Sequence, residues 1–213
     1  INIIDLVEKG GILVDTVKLM PKWDDINFEF GQQIKLGVAN SIRFFGGAQY
    51  ARLKTTKTEY FFDSTIDPSV SRNEVSNYSG FGPRVGLDMS YELNHLSLYT
   101  NMATALLIGK NKYYAKVEGM DSGGASGGQV LRELVTQASN QRLVPEFEAK
   151  LGLNYTYLLS QSNIIFDMGY LWVNYFKAHT IQSRLDFSNN LLSNSDFSMQ
   201  GPYAGLKWVG SIA

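Results

Sequence analysis

Apolar and polar residues alternate with a period of two along most of this chain, which marks strands with one apolar face. In residues 25–38, Ile26, Phe28, Phe30, Ile34, Leu36 and Val38 share one face. Asp25, Asn27, Glu29, Gly31, Gln33, Lys35 and Gly37 share the other. In residues 83–93, Val85, Leu87, Met89, Tyr91 and Leu93 oppose Arg84, Gly86, Asp88, Ser90 and Glu92. Residues 96–109 set Leu96, Leu98, Met102, Leu106 and Ile108 against Ser97, Tyr99, Asn101, Ala103 and Gly109. Residues 145–157 set Phe147, Ala149, Leu151, Leu153 and Tyr155 against Glu146, Glu148, Lys150, Gly152 and Asn154. The last segment sets Pro202, Ala204, Leu206, Trp208 and Ile212 against Tyr203, Gly205, Lys207 and Ser211. Residues 42–52 and 164–175 alternate less cleanly, because Phe45 and Leu171 fall on otherwise polar faces.

The links between these segments alternate short and long. Short ones fall near Ala39-Asn40-Ser41, at Asn94-His95 and near Ser160-Gln161-Ser162. Long ones, rich in Ser, Asn, Gly and Asp, are expected near residues 55–77, 111–142 and 178–198, with a short helix over 130–135 inside the second. This is the rhythm of outer-membrane barrels, which have short periplasmic turns and long outer loops. Seven strands are clear from Trp23 onward. An even count needs one more, ascending, from residues 1–8 or 12–19. The expectation is one domain over residues 1–213, an all-β, closed, antiparallel up-and-down transmembrane β-barrel of eight strands with both termini in the periplasm.

A soluble barrel of eight strands alternates in the same way with its faces reversed, so the orientation needs separate reasons. The apolar face is bulky, whereas the polar face carries Gly31, Gly37, Gly86, Gly109, Gly152 and Gly205. A narrow interior has room for small residues. The polar face also mixes signs, and buried charges need partners. Glu29, Gln33 and Lys35, then Arg43 and Gln49, then Arg84, Asp88 and Glu92 are expected to line the interior. Asn101, Glu146, Glu148, Lys150, Asp167 and Lys207 complete that set. On the apolar face, Tyr91, Tyr155, Tyr157 and Trp208 gather toward the short turns, and Tyr50 and Trp172 toward the long links. Two interfacial aromatic girdles have this pattern, although strands are rich in aromatics in general.

Composition adjusts the picture only slightly. The 213 residues include 18% charged and 13% aromatic side chains. The formal net charge of −1 leaves no basic surplus for nucleic acid. With no cysteine, neither disulfides nor thiolate metal sites arise. No apolar run approaches the roughly 20 residues of a spanning helix, but barrels cross with shorter, alternating strands. The chain starts at Ile1 without Met and is read as a processed or truncated product.

Candidate chemistry is sparse. His95 falls in a tight turn, and His179 opens a long link with Ser183, Asp186 and Ser188. A Ser–His–Asp set is conceivable there, but a loop rich in Ser and Asn holds such residues by chance, and no catalysis is expected. Residues 121–128 lack the Lys-Ser/Thr of a phosphate loop, and Asp63, Asp67 and Glu74 are too irregular for calcium. No metal or cofactor is expected. Arg52, Lys54 and Lys57 form a basic group near one membrane edge, suited to anionic lipid or lipopolysaccharide headgroups or simply to solvent.

The run Phe81-Gly82-Pro83-Arg84-Val85-Gly86-Leu87-Asp88 resembles the Legionella-type major outer membrane protein family. So do Phe30-Gly31-Gln32, residues 44–52 (FFGGAQYAR) and Leu106-Leu107-Ile108-Gly109. The closing Gly201-Pro202-Tyr203-Ala204-Gly205-Leu206-Lys207-Trp208 is similar to the family's C-terminal strand. The resemblance spans residues 23–208. It implies an outer-membrane barrel with porin-like activity and a surface that meets host cells or complement. Eight strands enclose a filled interior rather than an open channel, so conduction would need small pores, oligomerisation of subunits or further strands. Two departures stand beside it: family members carry a longer N-terminal part, and many outer-membrane barrels end on an aromatic residue, whereas this chain ends Gly210-Ser211-Ile212-Ala213. Two functions follow as expectations: a small ion or solute pore with a charge-paired lumen, or an anchor whose long loops bind a host surface or host lipid.

Overall fold

Each alternating stretch is a strand, and each strand runs well past the stretch that announces it. A computed structural model of the chain describes residues 12–37, 39–63, 70–122, 129–159, 162–182 and 192–210. They form one antiparallel up-and-down sheet in sequence order: β1 (Ile12–Leu36), β2 (Asn40–Asp63), β3 (Val70–Leu93), β4 (Leu96–Ser122), β5 (Gln129–Leu158), β6 (Ser162–Gln182) and β7 (Leu192–Gly210). Two of the short turns are where the pattern put them, and the third, at Ser160-Gln161, lies outside the described residues. Gly37, with φ of +83°, opens the first, and Asn94, with φ of +54°, makes the second with His95. Both residue types accept the left-handed region that tight turns need.

The long links are much shorter than expected. Most of residues 55–77, 111–142 and 178–198 continues the strands, and the connections narrow to residues 64–69, 123–128 and 183–191, outside the described residues. The piece 130–135, expected as a helix, belongs to β5. These stretches read as loops because their outward face is mostly polar and they are rich in Ser, Asn, Gly and Asp, yet their ladders are continuous. Thr56 pairs with Val75, Val75 with Tyr114, and Tyr114 with Gln137.

The sheet curls so far that opposite strands touch across its concave face. Trp23 on β1 donates to Tyr175 on β6 at 2.9 Å, and Thr55 on β2 meets His179 on β6 at 3.2 Å. Steric reasons for the curl lie in the glycines. A Cβ on Gly82 would come within 1.9 Å of the Leu106 carbonyl oxygen. One on Gly86 would come within 2.2 Å of the Phe45 ring. Phe45, out of pattern on a polar face, therefore occupies the space that Gly86 leaves.

Among the described residues the sheet is not closed. β1 pairs with β2 alone and β7 with β6 alone. Both run from the long links toward the short turns, so they are parallel to each other and cannot complete an antiparallel ladder directly. Residues 12–19, one candidate for the extra ascending strand, are the first part of descending β1. The other candidate, residues 1–8, lies outside the described residues.

The convex face is an apolar band with abrupt limits. Its last row toward the long links runs Ile26–Tyr50–Phe81–Ile108–Leu143 across β1 to β5. All five side chains are exposed, Ile26 by 70% and Ile108 by 68%. On β4 the band reaches from Ile108 to Leu96, thirteen residues. At about 3.3 Å per residue and a tilt of about 45° this rises about 28 Å, close to the ~25 Å apolar band of membrane-spanning barrels. Where that band ends, β5 separates from β6: their ladder stops at Glu146 and Tyr175. Arg142 bridges the gap, donating to the Lys177 carbonyl at 2.8 Å, the His179 carbonyl at 3.3 Å and the Thr180 hydroxyl at 3.3 Å. β6 bulges there, with Lys177 at φ of +54°.

Candidate functional site

The concave face is layered. Its main charged layer centres on Arg84 of β3, a buried guanidinium with Gly82 and Gly86 on either side of it along the same face. Arg84 Nε donates to Glu29 at 3.1 Å and Nη2 to Glu148 at 3.0 Å. Nη1 reaches both Glu146 oxygens at 3.4 Å and the Gln49 carbonyl oxygen at 3.5 Å. Lys150 Nζ joins Glu148 at 2.5 Å. Arg43 pairs with Asp88 at 2.7 Å and with Glu29 at 3.7 Å, and its guanidinium lies 5.1 Å from the Phe45 ring centre. Asn101 donates to Asp88 from the other side. Strands β1 to β5 each contribute, and three cations (Arg43, Arg84, Lys150) face four carboxylates (Glu29, Asp88, Glu146, Glu148). Glu146 and Glu148 are each 1% exposed. Carboxylates so placed depend on Arg84, since a buried charge without a partner is strongly destabilising.

Nearer the short turns, the Tyr99 hydroxyl donates to Asp167 and meets the Tyr203 hydroxyl, joining β4, β6 and β7. Gly152 and Gly169 make this possible. A Cβ on the first would lie 2.7 Å from the Tyr99 ring, and one on the second 2.8 Å from the Tyr203 hydroxyl.

Immediately above the Arg84 layer the face turns apolar. Ala51, Leu53, Tyr78, Ala105, Leu107, Val144, Val173, Tyr175, Ala178 and Phe197 form one cluster, packed against Trp23 and Met199. Strands β2 to β7 supply its members, and β1 adds Trp23 at its side. Leu53, Tyr78, Leu107, Val144, Val173 and Tyr175 have no exposed surface at all. Water is shut out from these six, which form the dry layer of the face. Its polar tips are satisfied: Tyr175 accepts from Trp23 and from Gln49 Nε2 at 3.3 Å, and Tyr78 donates to the Leu107 carbonyl at 3.0 Å.

A second polar layer lies beyond, toward the long links. Arg72 pairs with Glu74, which also accepts from Tyr113 at 3.1 Å, and Lys57 pairs with buried Glu59 at 2.9 Å. Asn111 donates to the Ala178 carbonyl at 2.7 Å. His179 is buried against the Phe197 ring, 5.2 Å between centroids. The serine and aspartate considered as its partners, Ser183, Asp186 and Ser188, lie outside the described residues. His95 is exposed at its turn, 6.5 Å from the Tyr155 ring.

Of the residues expected inside, Glu29, Arg43, Gln49, Arg84, Asp88, Asn101, Glu146, Glu148 and Lys150 meet in the Arg84 layer, and Asp167 lies in the tyrosine cluster. Gln33, Lys35 and Glu92 share the face but sit exposed at the short-turn end, apart from the cluster. Lys207 pairs with Ile165 along the ladder, and its side chain lies outside the description. On the convex face Tyr50, Tyr91, Tyr155, Tyr157 and Trp208 are exposed, while Trp172 is half-buried against Phe147 at 5.4 Å. Tyr157 and Trp208 share a row through Ile164. Sequence reasoning missed the apolar layer and the Arg72 layer. The signal was available: carrying the inward parity of Arg43 and Gln49 onward gives Leu53, Thr55, Lys57 and Glu59.

A family model described as the Legionella pneumophila major outer membrane protein precursor matches residues 11–210. No curated protein and no solved structure matches.

Proposed function

Because the chain belongs to the Legionella pneumophila major outer membrane protein family, and so is an outer-membrane protein, we propose that it is a porin-like barrel whose narrow interior passes small ions intermittently. In this reading an eighth, ascending strand fills the gap between β1 and β7, which closes the ladder and leaves both termini periplasmic. An unpaired strand edge is not tolerated in lipid. The observation that carries the reading is the Arg84 layer: paired charges face inward while the convex face of the same strands is apolar. The dry layer above it is the gate, and ions cross when its side chains move apart. The protein performs no catalysis.

The test is conductance of the refolded chain in planar bilayers, with gel migration before and after boiling as the check on folding. Small, brief steps that change in size or ion preference in Arg84→Gln and Lys150→Gln support a path past this layer. Heat-modifiable chains whose conductance is the same in wild type and variants contradict it.

A second reading is favoured by the same dry layer. An interior sealed by side chains from every strand suits an anchor, whose long strands lift the outer links toward a host surface or host lipid. Deleting residues 123–128 or 185–190 then abolishes host binding and leaves heat-modifiable folding intact.

A further inference from the structure

The convex face changes character within one row. Directly above Ile26–Tyr50–Phe81–Ile108–Leu143, the next row reads Asp24–Arg52–Ser79–Lys110–Gln141. The row after that reads Lys22–Lys54–Asn77–Lys112–Ser139. Five cations, Lys22, Arg52, Lys54, Lys110 and Lys112, thus stand on the edge of the apolar band with one carboxylate, Asp24, among them. Lys57, grouped with Arg52 and Lys54 by sequence, is not part of this edge, because it faces inward to Glu59.

Two features leave these cations open to an anion. Lys22 and Lys54 are direct cross-strand partners, an arrangement that destabilises a sheet by like-charge repulsion unless an anion bridges it. Among the described residues, no carboxylate lies within ion-pair distance of any of the five, whereas the ion pairs of Lys57, Lys116 and Lys150 are all made. The border also continues into a shallow groove beside Lys112, walled by Val75, Asn77, Tyr114, Gln137 and Ser139.

We infer that this edge binds the headgroup of an outer-leaflet glycolipid that carries two phosphates on a disaccharide, with its acyl chains lying on the apolar band below. Strands lie about 4.8 Å apart and residues of one face about 7 Å apart along a strand. The Lys22–Lys54–Arg52 group and the Lys110–Lys112 group are therefore separated by about two strands, roughly 10 Å, a span suited to two phosphates rather than one. The groove's amides and hydroxyls suit the sugar between them. A single phosphodiester, as in an ordinary anionic phospholipid, engages one group only. The inference rests on the outer-membrane placement of the family and not on conduction.

The full chain is refolded, exchanged into neutral detergent, and given diphosphorylated lipid A, its monophosphorylated form or phosphatidylglycerol. Lipid retention is read by native mass spectrometry. The expected result is retention of the diphosphorylated lipid about tenfold above the other two. Retention should fall roughly fivefold for each lysine neutralised in the series Lys22→Gln, Lys54→Gln, Lys112→Gln. A control variant, Lys57→Gln with Lys116→Gln, changes net charge as much as two of these steps and should retain lipid like wild type. Boiling shifts confirm that every variant is folded. Equal retention of phosphatidylglycerol, equal loss in the control, full displacement by millimolar inorganic phosphate, or unchanged retention in the triple variant would each overturn the assignment.

Discussion

Two neighbouring layers of the concave face make the most instructive contrast in the molecule. In the lower one Arg84, Glu146 and Glu148 are no more than 2% exposed and are held by mutual charge. In the upper one Leu53, Leu107 and Val144 are equally buried and held by contact alone. They are contributed by the same strands only a few residues apart, yet they fail in opposite ways. A charge layer that loses a member keeps its unpaired partners, whereas an apolar layer that loses a member gains a hole. The interior is thus neither a uniform polar tube nor a uniform core.

The largest effect is expected from Arg84→Ala, which leaves Glu29, Glu146 and Glu148 around an empty position. Urea unfolding of the refolded chain in detergent should show a loss of about 3–5 kcal/mol. Leu107→Ala attacks the other layer and should lose about 2–5 kcal/mol through its cavity, with longer openings in bilayer recordings. A reversed ranking, with Arg84→Ala nearly silent, would show that water already reaches the charge layer.

The convex face supplies the outer side of the contrast. Leu151→Arg, in the row of Ile34, Met89 and Tyr170 well within the apolar band, should cost about 2–4 kcal/mol in bilayers. Gln137→Arg, above the cationic edge, should cost nearly nothing. Equal costs would mean that the band is not where lipid lies. Among the destabilising changes the smallest is Tyr175→Phe, which removes the acceptor of Trp23 and Gln49. It should cost about 1–2 kcal/mol and, by loosening the contact between β1 and β6, raise tryptophan emission from Trp23 toward longer wavelength.

Strand existence, order and facing were legible because the period of two survives wherever one face meets lipid. Ile26, Phe28 and Phe30 against Asp25, Asn27 and Glu29 leave one reading. The same rule hid the upper halves of the strands. Above the band the outward face turns polar, and where the inward one is polar too the strand signal goes, so the stretch from Thr55 to Glu59 looks like loop although its ladder is unbroken. Charge at the Arg84 layer was readable from alternation, since a charge on the inward face must be paired. Which charges pair was not, because Arg84 and Glu146 come from strands that meet only when the sheet curls. The dry layer was readable only by carrying the inward parity past the clean alternation, from Gln49 to Leu53 and from Arg84 back to Tyr78; composition alone does not separate such inward aromatics from interfacial ones.

The most direct test of the account is bilayer conductance of the refolded wild type beside a Leu53→Ser, Leu107→Ser double variant. The account predicts rare, brief, small openings in the wild type and long-lived, larger ones in the variant, with both proteins heat-modifiable on gels. Steady conductance in the wild type that the double variant leaves unchanged would contradict it, because ions would then be crossing somewhere other than through the dry layer.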